Sequence, residues 1–168
     1  MKLLFKQKLF SWYDNYNIFD QQGRSIYKIK GENFIHFGHT FGIYDENDRM
    51  LGKVQEKVFS FVPRFEIYLG NNQNPIGTIS KKPFTFAPKY EIDFLGWQVV
   101  GNILGWDYQI FSKVNQKIAT IKKELFQFSN TYSIDVINEK DSLFVVMLTL
   151  SIDAYLCTLS QQQAYFDD

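Results

Sequence analysis

An aromatic pattern that recurs at nearly constant spacing is the feature of this 168-residue chain that most constrains its fold. The pattern Phe-x-aromatic-x-x-x-aromatic-x-Ile occurs four times, beginning at Phe10, Phe59, Phe84 and Phe126. Two weaker copies begin at Ile35 and Asn102. The isoleucines that close the six copies are Ile18, Ile43, Ile67, Ile92, Ile110 and Ile134. They are 25, 24, 25, 18 and 24 residues apart, which indicates six similar units.

Each copy is typical of a β-strand with one buried face. The named residues of a copy share one parity, as residues on one face of a strand must, and aromatic residues and isoleucine favour strands. Turn-forming residues follow nearly every copy, and then a second short apolar stretch, as at residues 51–54, 76–79 and 118–121. Pro63 and Pro88 occupy the same place in two copies, where proline implies a bulge, a kink, an edge or a tight turn. With any of these, two strands in each of six units predict about twelve strands, between about residues 3 and 137.

An apolar segment at residues 143–159 predicts a helix that is buried on nearly every side. Its 17 residues fall short of the roughly 20 that a bilayer crossing needs, and Asp153 lies near its middle. A barrel of about eleven strands can enclose a helix. We therefore expect one mainly β domain over residues 1–168, a closed barrel of about twelve strands around a helix at about 142–160. A tail anchor, an interfacial helix and an ordinary packed helix are the alternatives.

Composition narrows the class of protein. The 18 basic and 18 acidic side chains cancel, whereas general nucleic-acid-binding proteins carry a basic excess. The single Cys157 cannot form an internal disulfide, and the first residues lack the apolar run of about 7–15 residues typical of secretion signals. These features predict a cytoplasmic protein, either free or peripheral at a membrane, and no nucleic-acid partner.

Residue types that commonly perform catalysis or bind metals are scarce. His36 and His39 would face opposite sides of a strand, so a shared metal ion would need a turn at Gly38. Cys157 lies in the apolar helix, where cysteine usually packs as a small apolar residue. Asp153 is either a proton acceptor in a pocket or a structural carboxyl group, and we favour the second. A structural carboxyl group would be hydrogen-bonded to Tyr, Trp or Lys side chains that line the barrel, or would lie near the barrel mouth. We expect no enzyme, metal or cofactor.

Alternate turns of an up-and-down barrel lie at the same end, so each turn can be assigned to one of two ends. The two ends then differ in charge. One end, called here the lysine end, receives eight lysines and three glutamates. The opposite, acidic end receives eight acidic and five basic side chains. The lysines are Lys6, Lys8, Lys30, Lys57, Lys81, Lys82, Lys122 and Lys123. The acidic residues are Asp20, Asp45, Glu46, Asp48, Asp93, Asp135, Glu139 and Asp141.

Lysines clustered at one end can attract anionic lipid headgroups, at about 1 kcal/mol for each residue near the surface. The candidate anion- or lipid-binding residues are Lys8, Lys57, Lys81, Lys82, Lys122 and Lys123. Lysine is also common in solvated turns and discourages pairing at sheet edges, so an ordinary solvated end is the alternative.

The chain resembles the LURP-one-related family of the tubby C-terminal-like superfamily, to which the phospholipid scramblases are related. The resemblance lies in KLFSW at 8–12, KVFSFVPRFEIY at 57–68, PKY at 88–90 and the terminal apolar helix. It is strongest to small single-domain bacterial members. It implies a tubby-like, twelve-stranded barrel around a hydrophobic C-terminal helix, and a family without a catalytic motif.

Three hypotheses about function follow from the residues and the resemblance together. Tubby domains bind phosphoinositides through a basic pocket, so the first hypothesis is a binding domain for anionic lipid. The second is a protein-interaction or scaffold domain that uses the outer barrel surface. The third, by analogy with the scramblases, is lipid scrambling or membrane anchoring by the terminal helix.

Overall fold

A computed structural model describes residues 1–6, 15–34, 38–57, 64–81, 90–93, 95–126 and 129–164. These residues form twelve strands, a single 3-10 turn and one α-helix. The strands are β1 Lys2–Lys6, β2 Tyr16–Asp20, β3 Ser25–Phe34, β4 Gly38–Tyr44, β5 Met50–Glu56, β6 Arg64–Leu69, β7 Gly77–Lys81, β8 Tyr90–Ile92, β9 Trp97–Asn102, β10 Asp107–Phe111, β11 Lys117–Phe126 and β12 Ser129–Val136. The 3-10 turn is Glu139–Asp141, and the helix α1 is Ser142–Ala164.

The strands pair in the order in which they occur along the chain. Each strand is antiparallel to the next, and β1 also pairs with β12, which gives a closed up-and-down barrel. Leu3 of β1 lies opposite Ile134 of β12 on one side and Asp20 of β2 on the other. The prediction of a mainly β fold with one C-terminal helix is confirmed.

The closing isoleucines of the aromatic pattern line the barrel interior, where each is at most 1% exposed. The prediction that a copy forms one strand is wrong for two of the copies, because their described residues belong to two strands. Phe126 ends β11, Tyr132 lies in β12, and Leu104 lies in the turn between β9 and β10. Phe126 pairs with Ser129 of β12, so the two residues lie on different strands and the same-face rule does not extend from one to the other. Phe10, Phe59 and Phe84, which begin other copies, lie outside the described residues.

The helix α1 occupies the interior of the barrel. It extends four residues beyond the predicted end at residue 160. Its buried apolar side chains are at most 2% exposed and share one core with the strands: Val145, Val146, Met147, Leu148, Leu150, Ile152 and Ala154. Four consecutive residues cover a full helical turn, so burial of 145–148 means that protein surrounds the helix. Of the helices in the described part of the chain, none combines the length and apolar character needed to cross a bilayer.

Gly52 marks a close approach of β5 to the helix. A β-carbon at this position would lie 2.4 Å from Met147 Cε and 2.7 Å from the backbone oxygen of Tyr68. We expect Gly52→Ala to lower the free energy of unfolding by about 1–3 kcal/mol, because the backbone oxygen cannot move without disturbing the paired strands. Urea unfolding measures the loss. Gln55→Ala, on the outer side of the same strand, is the control, and an equal loss in both variants would contradict the close packing.

Candidate functional site

The antiparallel order assigns every turn to one end of the barrel. Turns that follow the even-numbered strands lie at the acidic end, where α1 also begins. The odd-numbered strands end at the lysine end, toward which α1 runs. The two ends are therefore separated by the full length of the strands.

Two carboxylates at the acidic end are neutralised within their own turns. Asp20 accepts hydrogen bonds from the backbone amide and the Nε of Arg24, at 2.9 and 2.7 Å. Asp45 makes the equivalent bonds with Arg49, at 2.9 and 3.0 Å. The backbone hydrogen bond from Arg49 is the main cause that holds the pKa of Asp45 below its ordinary value. The repeated Asp-x-x-x-Arg spacing in the sequence is the signal that could have revealed this turn.

The structure describes the side chains of three of the six candidate lysines. Lys122 and Lys123 are exposed on β11, and neither forms a salt bridge with a side chain in the described ranges. Lys57 is also exposed, but its Nζ lies 2.9 Å from Glu66 Oε1. Of the other candidates, Lys81 ends β7 and its side chain is not described. Lys8 and Lys82 lie outside the described residues.

The assignment of Lys30 to the lysine end is wrong. Lys30 lies within the long strand β3, opposite Gly42 of β4. Its Nζ is 3.5 Å from Asp48 Oδ1, in a turn of the acidic end. Lys30 lies in the middle of a ten-residue strand, and its contact with Asp48 places its charge with the acidic end. Lys122 and Lys123 also lie inside a ten-residue strand, but they adjoin the turn between β9 and β10, at the lysine end.

His39 contacts a glutamate. Its Nδ1 hydrogen-bonds Glu56 Oε2, and its backbone amide donates to the same oxygen at 3.2 Å. Burial raises the pKa of Glu56, but the bonds from His39 outweigh burial and hold that pKa below its ordinary value. His36 lies outside the described residues. Within the ranges that the structure describes, there is no cluster of three or more His, Cys, Asp or Glu side chains suited to a metal ion.

Asp153 lies within the barrel, toward the lysine end, beside two tyrosines. Burial raises the pKa of Asp153 to about 7. Burial first, and then the Asp153 charge, raise the pKa of both Tyr108 and Tyr132. The rings of Tyr132 and Trp106 stack with centroids 4.1 Å apart. The sequence suggested Tyr, Trp or Lys neighbours for Asp153 but did not identify Tyr108 and Tyr132.

Comparisons with known proteins agree with this architecture. A family model described as LURP-one-related matches residues 1–153. A protein of Arabidopsis thaliana, known from an X-ray structure, superimposes with a TM-score of 0.64 and 12% sequence identity. The match covers 92% of this chain and 90% of that protein. At this identity the likeness shows the fold alone. No curated protein matches the chain at a significant level.

Proposed function

The chain belongs to the LURP-one-related family, and from that premise we propose that it is a non-enzymatic domain that binds anionic lipid headgroups with the lysine end of its barrel. It acts at the cytoplasmic surface of a membrane, as a peripheral protein. The protein-interaction hypothesis is the alternative that the experiment below separates from lipid binding.

The observation that supports the proposal is the different state of the charges at the two ends. At the acidic end, Asp20 and Asp45 are held by the arginines of their own turns. At the lysine end, Lys122 and Lys123 are exposed without a salt-bridge partner in the described part of the chain. Adjacent strand residues point to opposite sides, so this pair presents charge both outside the barrel and over its mouth.

Charge reversal at Lys122 and Lys123 tests the proposal. We expect Lys122→Glu with Lys123→Glu to lower the affinity for vesicles that contain phosphatidylserine by roughly 30-fold or more, because each lysine contributes about 1 kcal/mol near an anionic surface. Co-sedimentation at low salt measures the affinity. Vesicles of phosphatidylcholine alone should bind neither protein appreciably.

The matched control reverses two lysines at the other end of the barrel. Lys113 and Lys117 are also exposed, but they lie in the turn and strand start that follow β10. Lys113→Glu with Lys117→Glu makes the same change in net charge and should leave vesicle binding nearly unaltered. If both double variants lose vesicle affinity equally, the net charge of the protein, and not a site at the lysine end, determines vesicle binding. If the unmodified protein does not bind anionic vesicles, the result favours the protein-interaction hypothesis.

A further inference from the structure

The turn between β9 and β10 is the tip of a hairpin and places an apolar side chain at the lysine end of the barrel. Leu104 is 67% exposed at this turn, and Val100, on the outer side of β9, is 54% exposed. A single exposed apolar residue is common on protein surfaces. Val100 is separated from the turn by Asn102, which lies opposite Asp107, so it is the surroundings of Leu104 that decide whether this turn has a role.

The tip is held firmly by the residues on either side of Leu104. Ile103 and Trp106 are both buried in the barrel core. The Gly105 amide donates to Asn102 Oδ1 at 2.9 Å, and the Trp106 amide donates to the Ile103 carbonyl at 3.2 Å. Leu104 is therefore presented by an ordered turn, and exposing it requires no rearrangement.

The backbone of Trp106 adopts a strained conformation. Its φ of 52° lies in the left-handed region, which a bulky side chain rarely adopts. Stacking against Tyr132 and burial of the indole offset this strain. Backbone strain of this kind persists where the surrounding structure fixes it, often at binding sites.

The charges beside the tip match an anionic surface. The Lys123 amide donates to the Trp106 carbonyl at 2.9 Å, and Lys122 lies opposite Asp107, the first residue after the turn. Both lysine side chains are exposed, and together they exceed the single charge of Asp107, while the neighbouring Glu124 is paired with Lys2. Apolar side chains beside ammonium groups suit the boundary between lipid headgroups and acyl chains.

We infer that the turn between β9 and β10 is the part of the barrel that enters an anionic bilayer, with Leu104 among the acyl chains and Lys122 and Lys123 at the headgroups. This inference rests on the proposed lipid-binding function. It adds to that function an apolar contact whose strength does not depend on salt.

Leu104→Ser in the full chain tests insertion by co-sedimentation with vesicles of phosphatidylcholine mixed with phosphatidylserine. We expect an affinity about tenfold lower at both low and high salt, because burial of an apolar side chain is not screened. Leu104→Trp should bind as well as the unmodified protein or better, since tryptophan favours the bilayer interface. Val114→Ser, which alters a side chain 74% exposed at the acidic end, is the control and should change nothing.

The outcomes separate insertion from lipid binding as such. If Leu104→Ser binds like the unmodified protein while the charge reversal of Lys122 and Lys123 abolishes binding, the proposed function stands and insertion is wrong. If Leu104→Ser lowers vesicle affinity at low salt but not at high salt, insertion is also wrong, because such a loss is electrostatic. If the unmodified protein binds no anionic vesicle, lipid binding and insertion both fail.

Discussion

Deletion of residues 142–168 is expected to leave a chain that aggregates and does not unfold cooperatively. The deletion removes the buried face of α1, whose apolar side chains contribute on the order of 10 kcal/mol or more in total. Domains of this size are stable by only about 5–15 kcal/mol. The near-ultraviolet circular dichroism should collapse, because Trp97 and Trp106 lie in the core that the helix completes. A tail anchor would behave in the opposite way, since its removal should leave a folded and more soluble barrel.

Single substitutions within α1 should destabilise the protein in proportion to how deeply each side chain is buried. Leu148 is fully buried in the core, so Leu148→Ala should lower the free energy of unfolding by about 2–5 kcal/mol. Leu143, at the start of the helix, is only half-buried, and Leu143→Ala should lower it by less. Urea unfolding of the two variants provides the comparison. Equal small losses, or a truncated protein that stays monomeric and cooperative, would contradict a helix that fills the barrel.

Asp153→Asn is expected to stabilise the protein above neutral pH. The pKa of Asp153 is about 7 in the folded protein, against roughly 3.9 in an unfolded chain. Below about pH 4 the carboxyl group is protonated in both states, and its contribution to stability is fully present. As the pH rises toward 7 the unfolded chain releases the proton first, so stability falls and the loss is complete above that pH.

The expected gain for Asp153→Asn at pH 8 is roughly 2–4 kcal/mol, reduced from the full shift because the side chain keeps some contact with solvent. Urea unfolding at pH 5 and pH 8 measures it, and the variant should lose most of the pH dependence between those values. Asp45→Asn is the control of opposite sign, because hydrogen bonds from Arg49 lower the pKa of Asp45. If the free energy of unfolding depends on pH equally in the unmodified protein and in Asp153→Asn, titration of Asp153 is not the cause of that dependence.

The sequence predicted those parts of the fold that depend on apolar spacing. Ile18 and Ile134 close the first and last copies of the pattern, and both lie in one core with the helix. Burial of α1 was predictable because residues 143–152 offer no polar side to solvent. Both features follow from the free energy of transferring apolar area out of water, which does not depend on the details of the turns.

The contacts of the candidate site could not be predicted from the spacing of apolar residues, because they depend on strand length, register and turns. The contact of Lys30 with Asp48 requires the length of β3, and Lys57 meets Glu66 only because β5 and β6 pair in one register. Leu104 matches the apolar pattern and would be assigned to the core, yet it lies at an exposed turn. A local change of chain direction reverses which side faces inward, so the parity rule fails where the lysine end is built.

The pairing of β1 with β12 sets a condition on how the protein is made. The amino group of Met1 donates to the Val136 carbonyl across a separation of 135 residues. During synthesis the barrel therefore keeps two open strand edges, and no filled interior, until its last strand and helix leave the ribosome. Contacts so distant in sequence make folding slow, and open edges invite pairing with other chains. Protection of the nascent chain by a chaperone would matter most in the interval just before α1 emerges.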